Sequence, residues 1–322
     1  MKRMKGIRIT LMGMLIVAPI LSTTAQELKL PNISGLVNAR YSWSDKEDAT
    51  HGFDIRRVRL AVDGVLSDNI DYKFQAEYET SVKVIDAYLR WKIAPEVNVQ
   101  IGEYKVQYSQ ETLSGPASWL TIENPTAVAQ LNGYNDLSGL KANGRDVGVT
   151  LYGDLFDKVI SYRVGIFNGN GINNKDNNNK KDFAGLLWLR PIEQLAFSVG
   201  HYQGAYGARG DEHVRNRTSA GVEYKNDKLT IRGEYLYGNT AGQKSDGAYV
   251  TAGYWIYDFV QPLLSIDYFK ADRDYDESLW NYQVGVNITP IKKLRIQAAY
   301  TYTDNKVAND VNQFETQFIL QF

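Results

Sequence analysis

The 322-residue chain contains no cysteine, so neither a disulfide framework nor a thiolate metal site can stabilise it. Histidine is scarce as well: His51, His201 and His213 are the only three. None belongs to a nucleophile motif, and no P-loop or dinucleotide fingerprint occurs. The charges, 36 Lys and Arg against 37 Asp and Glu, leave no global basic field for nucleic acid. After the amino-terminal leader no run of 18 apolar residues is found, and the mean hydropathy is −0.37. Membrane-crossing helices are therefore excluded, and stability must come from backbone pairing and packing.

The amino end has its own pattern. Lys2, Arg3, Lys5 and Arg8 precede and enter an apolar run at 9–21, followed by the small residues Thr23 and Ala25. That is the layout of a secretory signal peptide cut before Gln26. The apolar run is short for a span, which needs about 20 residues. We expect 1–25 to be the leader and 26–322 one domain, since no linker or composition shift divides the rest. Losing the four basic leader residues takes the formal net charge from −1 to −5.

What remains alternates. In 71–79, Tyr72, Phe74, Ala76 and Tyr78 share one face of an extended chain, and Asp71, Lys73, Gln75, Glu77 and Glu79 share the other. The pattern recurs in Val58, Leu60 and Val62 against Arg57, Arg59 and Asp63, and in Ile85, Ala87, Leu89 and Trp91 against Asp86, Tyr88, Arg90 and Lys92. Segments of this kind, broken by Gly, Asn, Asp and Pro, predict strands near 32–43, 53–66, 70–79, 83–93, 97–106, 146–154, 159–168, 182–190, 195–203, 214–224, 228–237, 247–257, 263–271, 279–289, 294–303 and 312–322. The count is even, with tight turns at one end, such as Ser67-Asp68-Asn69, and mostly longer polar connections at the other. The 22 tyrosines and 6 tryptophans suit interfacial girdles. The last strand ends on Phe322, and closing it onto the first removes both sheet edges. The expectation is an all-β, transmembrane antiparallel β-barrel of about 16 strands in a Gram-negative outer membrane.

Two connections stand out. Residues 107–144 form a 38-residue stretch carrying Gly115-Pro116-Ala117-Ser118-Trp119-Leu120-Thr121-Ile122. That is too long for an ordinary loop and too apolar for an exposed one, so we place it as a long third loop folded into the lumen. Residues 168–181, NGNGINNKDNNNKK, read as a solvated surface loop without the spacing of a calcium loop. His201 and His213 could meet at the outer rim, but isolated loop histidines are usually solvated, and no metal or cofactor is expected.

The stretches Phe53-Asp54-Ile55-Arg56-Arg57-Val58-Arg59-Leu60, Tyr72-Lys73-Phe74-Gln75-Ala76-Glu77, Asp86-Ala87-Tyr88-Leu89, Ile101-Gly102-Glu103-Tyr104-Lys105-Val106 and Gly144-Arg145-Asp146-Val147-Gly148-Val149 are similar to the phosphate-selective porin O and P family. The resemblance implies a sixteen-stranded barrel, usually trimeric, with the third loop turned inward and lumen arginines and lysines that draw anions. On that reading Arg57 and Arg59 face the lumen and hand anions along by bidentate hydrogen bonds. Alternation adds Arg90, Arg163, Arg215, Arg217, Arg232 and Arg295 as a candidate lumen anion path.

A blander reading pairs these charges across strands. A turn centred on Asp68 sets Asp63 opposite Lys73, Arg59 opposite Glu77 and Arg57 opposite Glu79. Asp71, Asp86, Asp146, Glu223, Glu234 and Glu315 further balance the inward set, and the third loop carries only Lys141 as a basic residue. The loop-borne lysine cluster of the family is thus not evident. A porin for passive diffusion of small hydrophilic solutes, general or mildly anion-preferring with phosphate among its solutes, is favoured over a strict phosphate channel. The alternative is a plugged structural or partner-binding barrel. Enzymatic activity is not expected, and the partners are outer-membrane lipid, the solute and two further copies in a homotrimer.

Overall fold

A computed structural model describes residues 30–132 and 135–322; the expected leader lies outside the described residues. The strands are β1 Asn32–Ser44, β2 Gly52–Ser67, β3 Ile70–Glu77, β4 Lys83–Ala94, β5 Val97–Lys105, β6 Arg145–Leu155, β7 Ile160–Phe167, β8 Asp182–Ile192, β9 Leu195–Tyr206, β10 His213–Lys225, β11 Leu229–Thr240, β12 Gln243–Tyr254, β13 Val260–Lys270, β14 Ser278–Ile291, β15 Leu294–Asn305 and β16 Val311–Gln321. Each pairs antiparallel with its chain neighbours, and β1 pairs with β16 to close the barrel. At the seam the Gly35 and Phe322 backbones exchange hydrogen bonds of 2.9 and 3.1 Å. Among the described residues no strand keeps an open edge, so the ladder groups pair within the protein, as a hydrocarbon surrounding requires.

The two faces are inverted relative to a water-soluble sandwich. Leu60, Phe74, Leu89, Ile101, Val149 and Val164 are exposed, while Arg57, Arg59, Asp71, Gln100 and Thr150 are buried. A soluble sheet would hide the first set; here it meets lipid. Outer connections are mostly the longer ones, with one exception. β11 and β12 run further than their sequence pattern suggests and join through Ala241 and Gly242, at φ 53° and 94°. Two consecutive positive φ angles make the two-residue turn that suits a twisted hairpin.

Two register shifts change which side chains point inward. Between β1 and β2, Asn38 faces Arg57 and Ala39 faces Ile55, so Arg56 is an extra residue. Between β3 and β4, Gln75 faces Asp86 and Ala76 faces Val84, which makes Ile85 extra. A bulge of this kind re-aims neighbouring side chains.

The loop at 168–181 is not simply solvated. Ile172 and Asn178 are buried. Asn173 accepts from the Val84 N–H at 3.1 Å and donates to the Val84 carbonyl at 2.6 Å, while its own backbone N–H donates to Glu103 at 2.6 Å. It stitches the outer ends of β4 and β5 beyond their last paired residues, Ala87 and Glu103. Composition could not show this, because one well-placed amide satisfies backbone groups that a strand otherwise would. The histidines stay apart: His51 stacks on Trp43, His201 accepts or donates at Thr218, and His213 lies by Asp211 and Tyr206. No metal-binding cluster occurs among the described residues.

Candidate functional site

The third outer connection leaves β5 and returns at β6, carrying two short helices, α1 Gln110–Leu113 and α2 Thr126–Leu131. It crosses the lumen, because its contacts run around the inner wall. At α1, Ser109 Oγ donates to Glu234 at 2.9 Å, and Glu111 receives Arg232 at 2.9 Å and Tyr249 at 3.1 Å. Further on, the Ala117 carbonyl accepts from Arg295 at 2.8 Å, and the Leu120 carbonyl from Asn287 and Gln297. Glu123 takes Arg56 at 2.7 Å and Arg57 at 2.9 Å. The Thr126 N–H donates to Asp267 at 2.6 Å, and Asp136 is clamped by Arg215 at 2.8 Å and Arg217 at 3.0 Å.

Apolar packing reinforces these bonds. Ala127, Val128 and Leu131 of α2 are fully buried in one cluster with Leu236, Tyr249 and Phe269 of the wall. The wall is shaped to receive them. A Cβ on Gly200 would stand 1.9 Å from the Tyr108 carbonyl oxygen, and one on Gly247 2.6 Å from the Ala127 Cβ. Those inward glycines are the signal in the sequence that marks where the loop seats, and alternation alone does not reveal it.

Charge compensation at the loop is strong. Burial alone would raise the Asp136 carboxyl, but Arg215 and Arg217 outweigh it and hold the group well below the ordinary carboxylate range. Glu123 follows the same balance, with burial opposed and exceeded by Arg57 and Arg56. The loop thus contributes carboxylates where its sequence has almost no basic residues. Glu111, Glu123 and Asp136 were not singled out in the sequence, since a loop carboxylate carries no local sign of its partner.

The eight arginines of the candidate path separate into two groups. Arg57, Arg215, Arg217, Arg232 and Arg295 end on oxygens of the third loop, and Arg57 also lies 5.2 Å from the Trp119 ring centroid. They are not a continuous free file. Arg59, Arg90 and Arg163 instead line a cavity of about 390 Å³ between the loop segment 113–117 and the wall from β1 to β7. The same cavity is lined by Lys73, Lys105 and Arg145, which the path did not include, and by one carboxylate, Asp86. Arg59 pairs with Glu77 at 3.1 Å, Arg90 with Asp71 at 2.6 Å and Arg145 with Asp86 at 3.0 Å. Arg163 lies over the Tyr152 ring at 4.9 Å and has no carboxylate at ion-pair distance among the described residues.

Of the three cross-strand pairs expected on the first hairpin, Arg59 faces Glu77 and Asp63 faces Lys73 in register. The third does not form. The β2–β3 ladder ends at Glu77, and Arg57 pairs with Glu123 of the third loop rather than with Glu79.

With this geometry in place, comparison with known proteins is decisive. Residues 37–219, more than half of the chain, match the family model described as phosphate-selective porin O and P. The chain belongs to that family. No curated protein matches it in sequence. Among solved structures it is similar to the anion-selective porin from Comamonas acidovorans, with a TM-score of 0.73 at 12% identity, covering 91% of this chain and 99% of that one. The outer membrane channel DcaP of Acinetobacter baumannii gives 0.67 at 14%, covering 91% and 97%. The trimer form of OmpT from Vibrio cholerae gives 0.66 at 14%, covering 91% and 99%. At such identities the structural likeness speaks for the fold, a closed sixteen-stranded antiparallel barrel. Family and fold together make this an outer-membrane porin, a passive channel.

Proposed function

We propose that this porin passes small hydrophilic solutes with a preference for anions, phosphate among them, along the wall from β1 to β7. The observation that carries the reading is the lining of the cavity beside the third loop: six basic side chains and one carboxylate. The loop fills much of the rest of the lumen, seated on β10, β11 and β15 and reaching β2 through Glu123, and acts as a constriction. Guanidinium groups at the wall offer planar, bidentate donors to an oxyanion, and several weak sites in sequence let it leave again. Because Glu77, Asp71 and Asp86 stand beside three of the arginines, attraction is moderate, which fits a porin of mild rather than strict selectivity.

The same reading includes removal of residues 1–25 on export and assembly as a homotrimer in the outer-membrane lipid; peptide sequencing of the mature amino terminus and the mass of the detergent-solubilised assembly test these. For the pore, planar-bilayer conductance across a potassium chloride gradient is the direct test. An anion-sided reversal potential, with current reduced by added phosphate, is the expected result. Conductance without selectivity would leave a general porin, and properly folded protein without conductance would sink the reading in favour of a plugged, partner-binding barrel.

A further inference from the structure

The lipid-facing wall has a groove across β6 to β10 near its outer end. Its lower part, about 510 Å³, is floored by Val149, Val164, Ile166 and Phe183 around Gly185. Its upper part, about 290 Å³, shares Phe183 and Gln203 with the lower and is capped by Lys180 and Lys181 from the loop before β8. Gly185 lies three residues inside the outer end of β8, roughly 10 Å along the strand. With strands tilted by about 40°, that sets it roughly 8 Å below the outer end of the strand, in the outward half of the wall.

Two features set this face apart. A Cβ on Gly185 would meet only Val164 Cγ1 at 3.5 Å and the Arg163 carbonyl at 3.6 Å, ordinary contacts. The backbone does not need glycine there, and the missing side chain is what opens the groove. Around it, His201, Gln203, Asn216 and Thr218 put a cluster of polar side chains on the outward face of β9 and β10. His201 and Thr218 satisfy each other at 3.0 Å, and Asn216 accepts from the Gly204 N–H at 3.3 Å. Gln203 has no side-chain partner among the described residues. Polar groups facing hydrocarbon are costly unless something meets them.

We propose that this groove binds a phosphorylated glycolipid of the outer leaflet, with an acyl chain over Gly185 and the phosphorylated sugar headgroup at Lys180, Lys181, Gln203 and Asn216. Charge complementarity selects this occupant: lysines at the rim suit phosphate, amides below them suit sugar hydroxyls, and the apolar floor suits a chain. Lys181 already pairs with Asp176, and Lys180 stands 3.8 Å from Glu212. Such exposed ion pairs are weak and exchange readily for a stronger anion.

Native mass spectrometry of the delipidated, detergent-solubilised full chain, with purified lipid A added in phosphorylated and dephosphorylated form, tests this. Heat-modifiable gel migration reports folding independently of the pore. Wild type should retain the phosphorylated form preferentially. Lys180→Gln with Lys181→Gln should abolish that preference, weakening retention by roughly fivefold per lysine, while Gly185→Leu should weaken both forms. Equal retention of both forms by wild type, or undiminished retention by folded Gly185→Leu, overturns the proposal. If Gly185→Leu splits the oligomer with lipid retention unchanged, the groove is a subunit contact and the proposal likewise fails.

Discussion

Two arginine-rich walls face each other across this lumen. On β10, β11 and β15, Arg215, Arg217, Arg232 and Arg295 end on Asp136, Glu111 and the Ala117 carbonyl, all in the third loop. On β2, β4, β6 and β7, Arg59, Arg90, Arg145 and Arg163 line the cavity that the loop leaves open. The residue types are the same and the roles differ. An inward arginine becomes part of a solute path only when the loop does not supply its counter-charge. The first wall therefore anchors the loop, the second is the conducting surface on the function proposed above, and the position of the loop decides which is which.

The strongest way to break this contrast is to remove the shared carboxylate on the anchoring side. Asp136→Ala leaves two buried guanidinium groups without their counter-ion, a loss of about 3–5 kcal/mol for a buried ion pair broken from one side. We expect earlier denaturant unfolding and a larger, noisier single-channel conductance as the loop is released. Unchanged stability and conductance would show that the loop is held by packing alone.

Packing is tested separately at Gly247. Its Cβ position lies 2.6 Å from that of Ala127, so Gly247→Leu should push α2 off the wall at a cost of about 1–3 kcal/mol, as overpacking usually does. Conductance should rise again, by less than with Asp136→Ala.

The conducting side is sharpened by charge reversal at Arg163. Arg163→Glu should lower the anion-to-cation permeability ratio roughly two- to threefold, the scale of one or two screened charges in a wet lumen, with little change in stability. Arg295→Gln, on the anchoring wall, should leave the reversal potential nearly unchanged. Equal effects from both would erase the distinction between the walls.

The smallest effect is expected from acid. Asp136 and Glu123 both titrate below their ordinary values in the folded protein, so the unfolded state binds protons more readily. Their contribution is fully present above the unfolded value of about 4 and is lost only as pH falls through the depressed folded values. Current should be steady between about pH 8 and 5 and become unstable only in stronger acid. A transition near neutrality would mean that the other loop contacts, such as Ser109 on Glu234 or Thr126 on Asp267, give way before the Asp136 and Glu123 ion pairs.

Much of this was legible along the chain. Alternation in segments such as 71–79 is a local property of extended backbone, so it marked the strands, their faces and their even number, and the terminal Phe322 pointed to closure. The length and apolar content of 107–144 likewise marked a loop that needed burial. Local pattern could not reveal the bulge that adds Arg56 to the inner wall, the amide of Asn173 that joins β4 to β5, or the five arginines claimed by Glu111, Glu123, Asp136 and the Ala117 carbonyl. Sequence by itself determined which residues share a face of each strand wherever the strand is regular, because side-chain direction follows from the two-residue period; at the bulges by Arg56 and Ile85 it did not. Only the tertiary structure decided which of those charges remain available to a solute, because their partners lie on a distant loop whose seat is set by packing across the whole barrel.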